Sequence, residues 1–217
     1  MNNLSTIQTI AVYLIPLICA ITLHEAAHAY MAYKYGDNTA KMAGRLSLNP
    51  LHHIDPIGTI LFPLLSIVMG SVAGGSILFG WAKPVPINFS KLYRPKHDLM
   101  WIALAGPLSN LAMALIWTLL MKGSTYIDGY FGVPLQLMGQ AGISINLSLM
   151  LINLLPILPL DGGRVLFSLL PNSTAHSYAK SEPYGMWILI ALIFSGALGV
   201  IISPIYSLIV HLLLAII

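Results

Sequence analysis

The chain has 217 residues, 57% hydrophobic and only 8% charged, with a formal net charge of +3 and a mean hydropathy of +0.82. A soluble domain carries about 25% charged residues, so this chain cannot cover a water-facing surface and reads as an all-α, polytopic integral membrane protein, a single domain over 1–217. The small, dispersed positive charge suits anionic lipid headgroups rather than nucleic acid, and the lone cysteine, Cys19, excludes an internal disulfide and a cysteine-based zinc site.

The first residues, MNNLSTIQ, contain no basic n-region, and the apolar run behind them is too long for a cleaved signal peptide, so the segment is expected to be retained. A hydrocarbon core of about 30 Å takes roughly 20 helical residues. On that measure the first span covers about 7–33, the second about 56–73 with Pro56 in its first turn, the third about 99–121, and the fourth lies within 131–160. The final run, 184–217, holds no Asp, Glu, Lys or Arg; two short helices are favoured there, with Pro204 as the point that kinks or divides them. The expectation is a bundle of five to six transmembrane helices.

Residues 74–90, GGSILFGWAKPVPINFS, break the helical pattern with glycines, two closely spaced prolines and alternating apolar residues. They read as extended chain, a short membrane-associated β-hairpin or a re-entrant segment. Lipid does not tolerate unpaired backbone, so this piece must lie at the interface or line a cavity. Orientation stays open: Lys34, Lys41 and Arg45 fall in one loop and Lys83, Lys91, Arg94 and Lys96 in the next, so both sides are positive.

The chemistry concentrates in His24-Glu25-Ala26-Ala27-His28, inside the first span, where Glu25 is the only Asp, Glu, Lys or Arg between Ile7 and Tyr33. An HExxH places two imidazoles one helical turn apart on one face, with a carboxylate beside them to act as general base. An ionised carboxylate at that depth needs compensation, and a zinc ion, one per chain, would supply it. The competing reading is a chance pattern whose histidines are hydrogen-bonded within a helix bundle. Three polar residues within one and a half turns of an otherwise apolar helix favour the metal.

Zinc held by His24 and His28 needs a third protein ligand. Asp37, Asp55, Asp98, Asp128 and Glu182 sit in polar, loop-like surroundings. Asp161 instead closes an uncharged stretch from Gly129 to Leu160, and Pro156, Pro159, Gly162 and Gly163 should break the helix around it. Its ordinary alternative is an N-cap; its rival as ligand is His211, also in an apolar run. With both histidines neutral, Zn²⁺, Glu25 and Asp161 sum to zero charge. Asn153 leans toward the active site. Asn110 leans toward helix–helix glue. Arg164 reads as snorkelling or paired locally, His52 and His53 as interfacial loop residues, and Lys83 as meeting headgroups or substrate.

Together these residues resemble the site-2 protease family of intramembrane zinc metalloproteases. HEAAH matches its zinc motif, and NLLPILPLDGG at 153–163 matches its second motif. GRLSLNPLHHIDPIGT at 44–59, FGWAKPVPINF at 79–89 and LAGPLSN at 104–110 extend the likeness over roughly 20–170. The resemblance implies a catalytic core over about 7–171, followed by C-terminal helices at about 184–217, in a minimal form without a PDZ domain. It implies His24, His28 and Asp161 as zinc ligands, Glu25 as catalytic base, and Asn153 as a residue holding substrate or oxyanion. It also implies a substrate-presenting strand made of Phe79, Gly80, Trp81, Pro84, Val85, Pro86, Ile87, Asn88 and Phe89. The substrates would be transmembrane proteins and the setting the cell (inner) membrane of a prokaryote. The alternatives are an intramembrane metal transporter and a protein that binds membrane segments without cutting them. A transporter would need ligands in series along a path, and a pure binder has no use for Glu25.

Overall fold

The structure is a computed structural model that describes residues 6–53, 55, 58, 61, 83–127 and 131–216. Helix α1 runs Thr6–Lys34 and is built from Ala, Leu and Ile with Pro16 inside it. It ends with Lys34 in its last turn, favourable against the carbonyl end of the helix dipole, and with Gly36 at φ +102°. A short helix, α2 (Thr39–Met42), follows, and single 3₁₀ turns occur at Pro50–His52 and Phe89–Lys91. Helix α3 (Pro95–Ser124) starts on a proline, and the Asp98 carboxylate in its first turn accepts the Arg94 N–H at 2.6 Å. Then come α4 (Gly132–Asn153), α5 (Asp161–Leu169), α6 (Asn172–Ala179), α7 (Glu182–Phe194) and α8 (Ala197–Leu214).

The central element is α3, which packs against α1, α4, α5 and α8. One core joins α3, α4 and α8 through Trp117, Leu147, Met150 and Leu213; another joins α1 to α4 through Val12, Leu17, Ile21 and Ile145. Close approach of α3 and α4 depends on two glycines: a Cβ at Gly142 would stand 2.3 Å from the Trp117 ring, and one at Gly139 would stand 2.7 Å from Met121. Four of the described helices are long and apolar enough to cross a membrane, spanning Gln8–Lys34, Pro95–Ser124, Gly132–Asn153 and Ala197–Leu214. The chain is an integral membrane protein. Half of the most apolar stretch of α1 is buried inside the protein but only 6% of that of α8, so α8 sits at the periphery of the bundle.

Three expected spans have their counterparts in α1, α3 and α4, with α3 several residues longer than expected at both ends. The C-terminal run does form two helices, but they divide at Gly196 (φ +74°), not at Pro204, which lies inside α8. A left-handed residue stops a helix outright and favours glycine, whereas a helix can absorb one proline within a membrane. The expected span 56–73 and the expected extended residues 74–82 lie outside the described residues. Residues 83–88 run as irregular chain, and no strand occurs among the described residues.

Candidate metal centre

His24 and His28 stand one turn apart on the face of α1 that meets α3. Helix α3 leaves room for them because it presents Gly106: a Cβ there would lie 2.4 Å from His28 Nε2 and 2.6 Å from His24 Nε2. Asp161 reaches the same point from the start of α5. The backbone breaks after Asn153, and Gly162 and Gly163 let α5 fold tightly onto that break. A Cβ at Gly162 would meet Leu154 O at 2.2 Å, and one at Gly163 would meet the Ile157 carbonyl carbon at 2.5 Å. The double glycine is what lets this carboxylate face α1.

Three atoms converge there. His24 Nε2 and His28 Nε2 are 3.0 Å apart, and Asp161 Oδ2 lies 3.2 Å from the first and 3.3 Å from the second. His28 Nδ1 lies 2.7 Å from the Ile102 carbonyl oxygen, which can only accept, so Nδ1 carries the hydrogen. His24 Nδ1 lies 2.6 Å from Asn110 Oδ1 and donates likewise. In the neutral imidazoles both Nε2 atoms are then bare acceptors, facing each other and a carboxylate oxygen. Asp161 Oδ2 is buried without a hydrogen-bond partner among the described residues. Three buried acceptors pointed at one another repel unless a cation sits between them. Donor atoms about 2.0–2.1 Å from a tetrahedral zinc lie about 3.3–3.4 Å apart. The donor set and its spacing therefore fit zinc, with the fourth position left to the cavity.

Glu25 is half-buried in the same cavity and is not one of the converging groups. Its Oε2 accepts the backbone N–H of Val85 at 3.0 Å. Pro84, Val85 and Ile87 line the cavity with Asn153, Asp161 and Arg164. The segment alternates: Val85 is buried and Ile87 partly so, while Pro84, Pro86, Asn88 and Phe89 are exposed. Asn88 is tied away from the site, its N–H donated to Asp37 Oδ2 at 2.6 Å. Phe79, Gly80 and Trp81 lie outside the described residues, as does Asp128. The Asn153 side-chain amide donates to Leu149 O at 3.0 Å within its own helix, and the residue lines the cavity.

The other candidate ligands are elsewhere. His211 is exposed on α8 and bonds the Ser207 carbonyl of its own helix at 3.0 Å. Asp37 and Asp98 bind backbone N–H groups, Asp55 accepts the Gly58 N–H, and Glu182 opens α7. His53, at the end of the Pro50–His52 turn, is fully buried with Nε2 2.8 Å from Ser47 O; His52 is exposed. Arg164 does bond locally, to Pro159 O at 3.3 Å, but it also lines the cavity, which its position after Gly163 did not suggest. Asn146, fully buried on α4, is a further polar residue at the crossing of α3 and α4. Its signal was a primary amide in a stretch of apolar helix, where polar groups find partners or function.

The sequence profile of Peptidase family M50 matches residues 132–196. The chain is 40% identical over 197 residues to "Putative zinc metalloprotease YwhC" of Bacillus subtilis (strain 168), a match covering 85% of this chain and 80% of that one. It is 28% identical to "Putative zinc metalloprotease Rip2" of Mycolicibacterium smegmatis, over 84% of this chain and 66% of that one. It is 32% identical to "Putative zinc metalloprotease MJ0611" of Methanocaldococcus jannaschii, over 73% of this chain and 72% of that one. No solved structure matches the chain significantly.

Proposed function

Since the chain belongs to peptidase family M50, a family of metalloproteases, we propose that it is a zinc-dependent endopeptidase cutting transmembrane segments of other membrane proteins within the bilayer. The observation that carries this reading is the convergence of His24 Nε2, His28 Nε2 and Asp161 Oδ2, 3.0–3.3 Å apart, with the Glu25 carboxylate beside them in a membrane-spanning helix. His24, His28 and Asp161 would hold one zinc. Bound there, it would supply Lewis acidity toward the scissile carbonyl and toward water.

Glu25 takes the proton from the attacking water and returns it to the leaving amine nitrogen. It can do so because it lies about 100° around α1 from His24 and is not held among the converging acceptors. A transmembrane substrate must first unwind, since a helix hides its carbonyls in internal bonds. Residues 84–89 offer it main-chain partners. Pro84 and Pro86 have no N–H and that of Val85 is taken by Glu25, so the main-chain donor left near the site is that of Ile87, on the edge that faces the cavity. Pairing along that edge offsets part of the unwinding cost. Asn153 holds the substrate backbone near the break after α4. The setting is the cell membrane of a prokaryote, as for the organisms of its relatives.

The acceptors meet at one point rather than standing in series along a path, which favours hydrolysis over metal transport. The test is cleavage of a transmembrane peptide by the purified chain in detergent, with and without a chelator, alongside metal analysis. One zinc per chain and chelator-sensitive cleavage are expected, and His24→Ala, His28→Ala and Asp161→Ala should each lose most of the metal. Full zinc in Asp161→Ala would remove that residue from the site; zinc-replete protein that cuts no peptide would remove the protease reading.

A further inference from the structure

His28 and His24 are oriented by different means. His28 is set by a backbone carbonyl, that of Ile102, which no substitution can alter chemically. His24 is set by a side-chain amide, Asn110, and an amide can present either its oxygen or its NH₂. What decides is on the next helix. Asn146 Nδ2 on α4 lies 2.8 Å from the Gly142 carbonyl, an acceptor only, so the NH₂ of Asn146 faces Gly142 and its oxygen faces Asn110 at 3.0 Å. Asn110 must then present its NH₂ to Asn146, and the Ala20 carbonyl at 3.4 Å asks for the same end. The Asn110 oxygen is left for His24 Nδ1, which must carry a hydrogen, and the bare His24 Nε2 is left for the converging site. Both amides are fully buried, so water cannot substitute for any of these partners.

We infer that Asn110 and Asn146 form a directional relay, running Gly142 C=O to Asn146 to Asn110 to His24, that fixes the tautomer and ring orientation of one metal-binding histidine from a helix that touches no metal. The inference rests on the zinc reading above. Partners behind a ligating histidine typically change metal affinity by about 10–100-fold. Both residues are positioning residues. Amides that merely glue α3 to α4 would stabilise the bundle without changing how tightly it holds zinc.

The experiment is a zinc competition titration against a chelator of known affinity, on the full chain in detergent. Asn146→Leu, which removes the acceptor that orients Asn110, should weaken zinc by about tenfold or more. Asn146→Asp offers an oxygen to Asn110 whichever way it turns, so it should stay within about threefold of the unmodified protein even where it lowers thermal stability. Asn110→Leu should weaken zinc as Asn146→Leu does, and the double variant should be no worse than Asn110→Leu, because the chain is already cut. Unchanged affinity in folded Asn146→Leu, or losses that simply add, would overturn the relay. If the leucine variants do not fold, ¹⁵N-histidine spectra of the zinc-loaded unmodified protein decide: hydrogen on His24 Nδ1 and metal on Nε2 are expected, and metal on Nδ1 overturns it. A chain that binds no zinc, or binds it equally with His24→Ala, would sink the metal reading itself. Zinc bound through His24 but indifferent to Asn146 would sink the relay alone.

Discussion

The Glu25 carboxylate accepts the backbone N–H of Val85 across 3.0 Å, tying the proposed base to the segment proposed to present substrate. The contact joins two residues 60 positions apart in the chain, and it gives Glu25 a partner other than the converging acceptors.

Glu25→Gln keeps the size of the side chain and an oxygen for the Val85 N–H but cannot take a proton. Cleavage should fall by at least about 10²–10⁴-fold, the usual worth of an acid–base group, while zinc content stays near one per chain. Near-normal proteolysis by a zinc-loaded Gln variant would end the mechanism. Loss of zinc would make Glu25 a ligand.

Ile87→Pro deletes a main-chain donor from the edge facing the cavity without touching the Val85 N–H that holds Glu25. Cleavage of a transmembrane substrate should drop at unchanged zinc content, chiefly through a higher KM. An unaltered KM in that variant would mean that substrates do not pair with this edge.

Gly106→Ala puts a methyl where both imidazoles sit, 2.4–2.6 Å from their ring atoms. Zinc affinity should fall by at least about tenfold, the scale of disturbing the groups around metal ligands. Gly123→Ala in the same helix is the control: nothing lies within 4 Å of its Cβ, so zinc binding should hold and helix stability should rise by up to about 1 kcal/mol. Equal zinc affinity in the two variants would mean that α3 does not confine the histidines.

Asp37 lies beyond the end of the spanning helix α1 and anchors the 83–88 segment through the Asn88 N–H. Burial opposes its ionisation, but the Thr39 hydroxyl, the Asn88 and Thr39 N–H donors and the nearby Lys91 charge outweigh that and hold its carboxyl below the ordinary range. The folded state thus favours the carboxylate. Its stabilisation is complete above the unfolded value of about 3.9 and disappears as pH falls through the lower folded value. The difference in Tm between the natural chain and Asp37→Asn should be constant above about pH 5 and shrink below about pH 4. A difference that grows on acidification would reverse the sign and refute the assignment.

The site was legible where a polar group broke an apolar pattern. HEAAH stands out because Glu25 has no charged neighbour in its span, and Asp161 because prolines and glycines surround it. Asn146 was not legible: one amide in a helix reads as glue until the crossing of α3 and α4, permitted by Gly142 against Trp117, puts it beside Asn110. The end of α7 was misplaced for a related reason. Pro204 is conspicuous in sequence, but the chain direction is set by Gly196 at φ +74°, and nothing in a uniformly apolar run ranks one above the other. His53 needed the Ser47 carbonyl, a loop contact that no periodicity encodes.

The three converging acceptors come from α1 and α5, elements well over a hundred residues apart in the chain. A metal held by both would act as a cross-link as well as a reagent. Like a disulfide closing a long loop, it would restrict the unfolded chain most where the loop is longest, and at a thousandfold excess over its Kd it would add about 4 kcal/mol to the folded state. Chelation would then do more than silence chemistry. It would unfasten the short helix carrying Asp161 from the first helix of the bundle, making metal supply a determinant of how long the protein survives in its membrane.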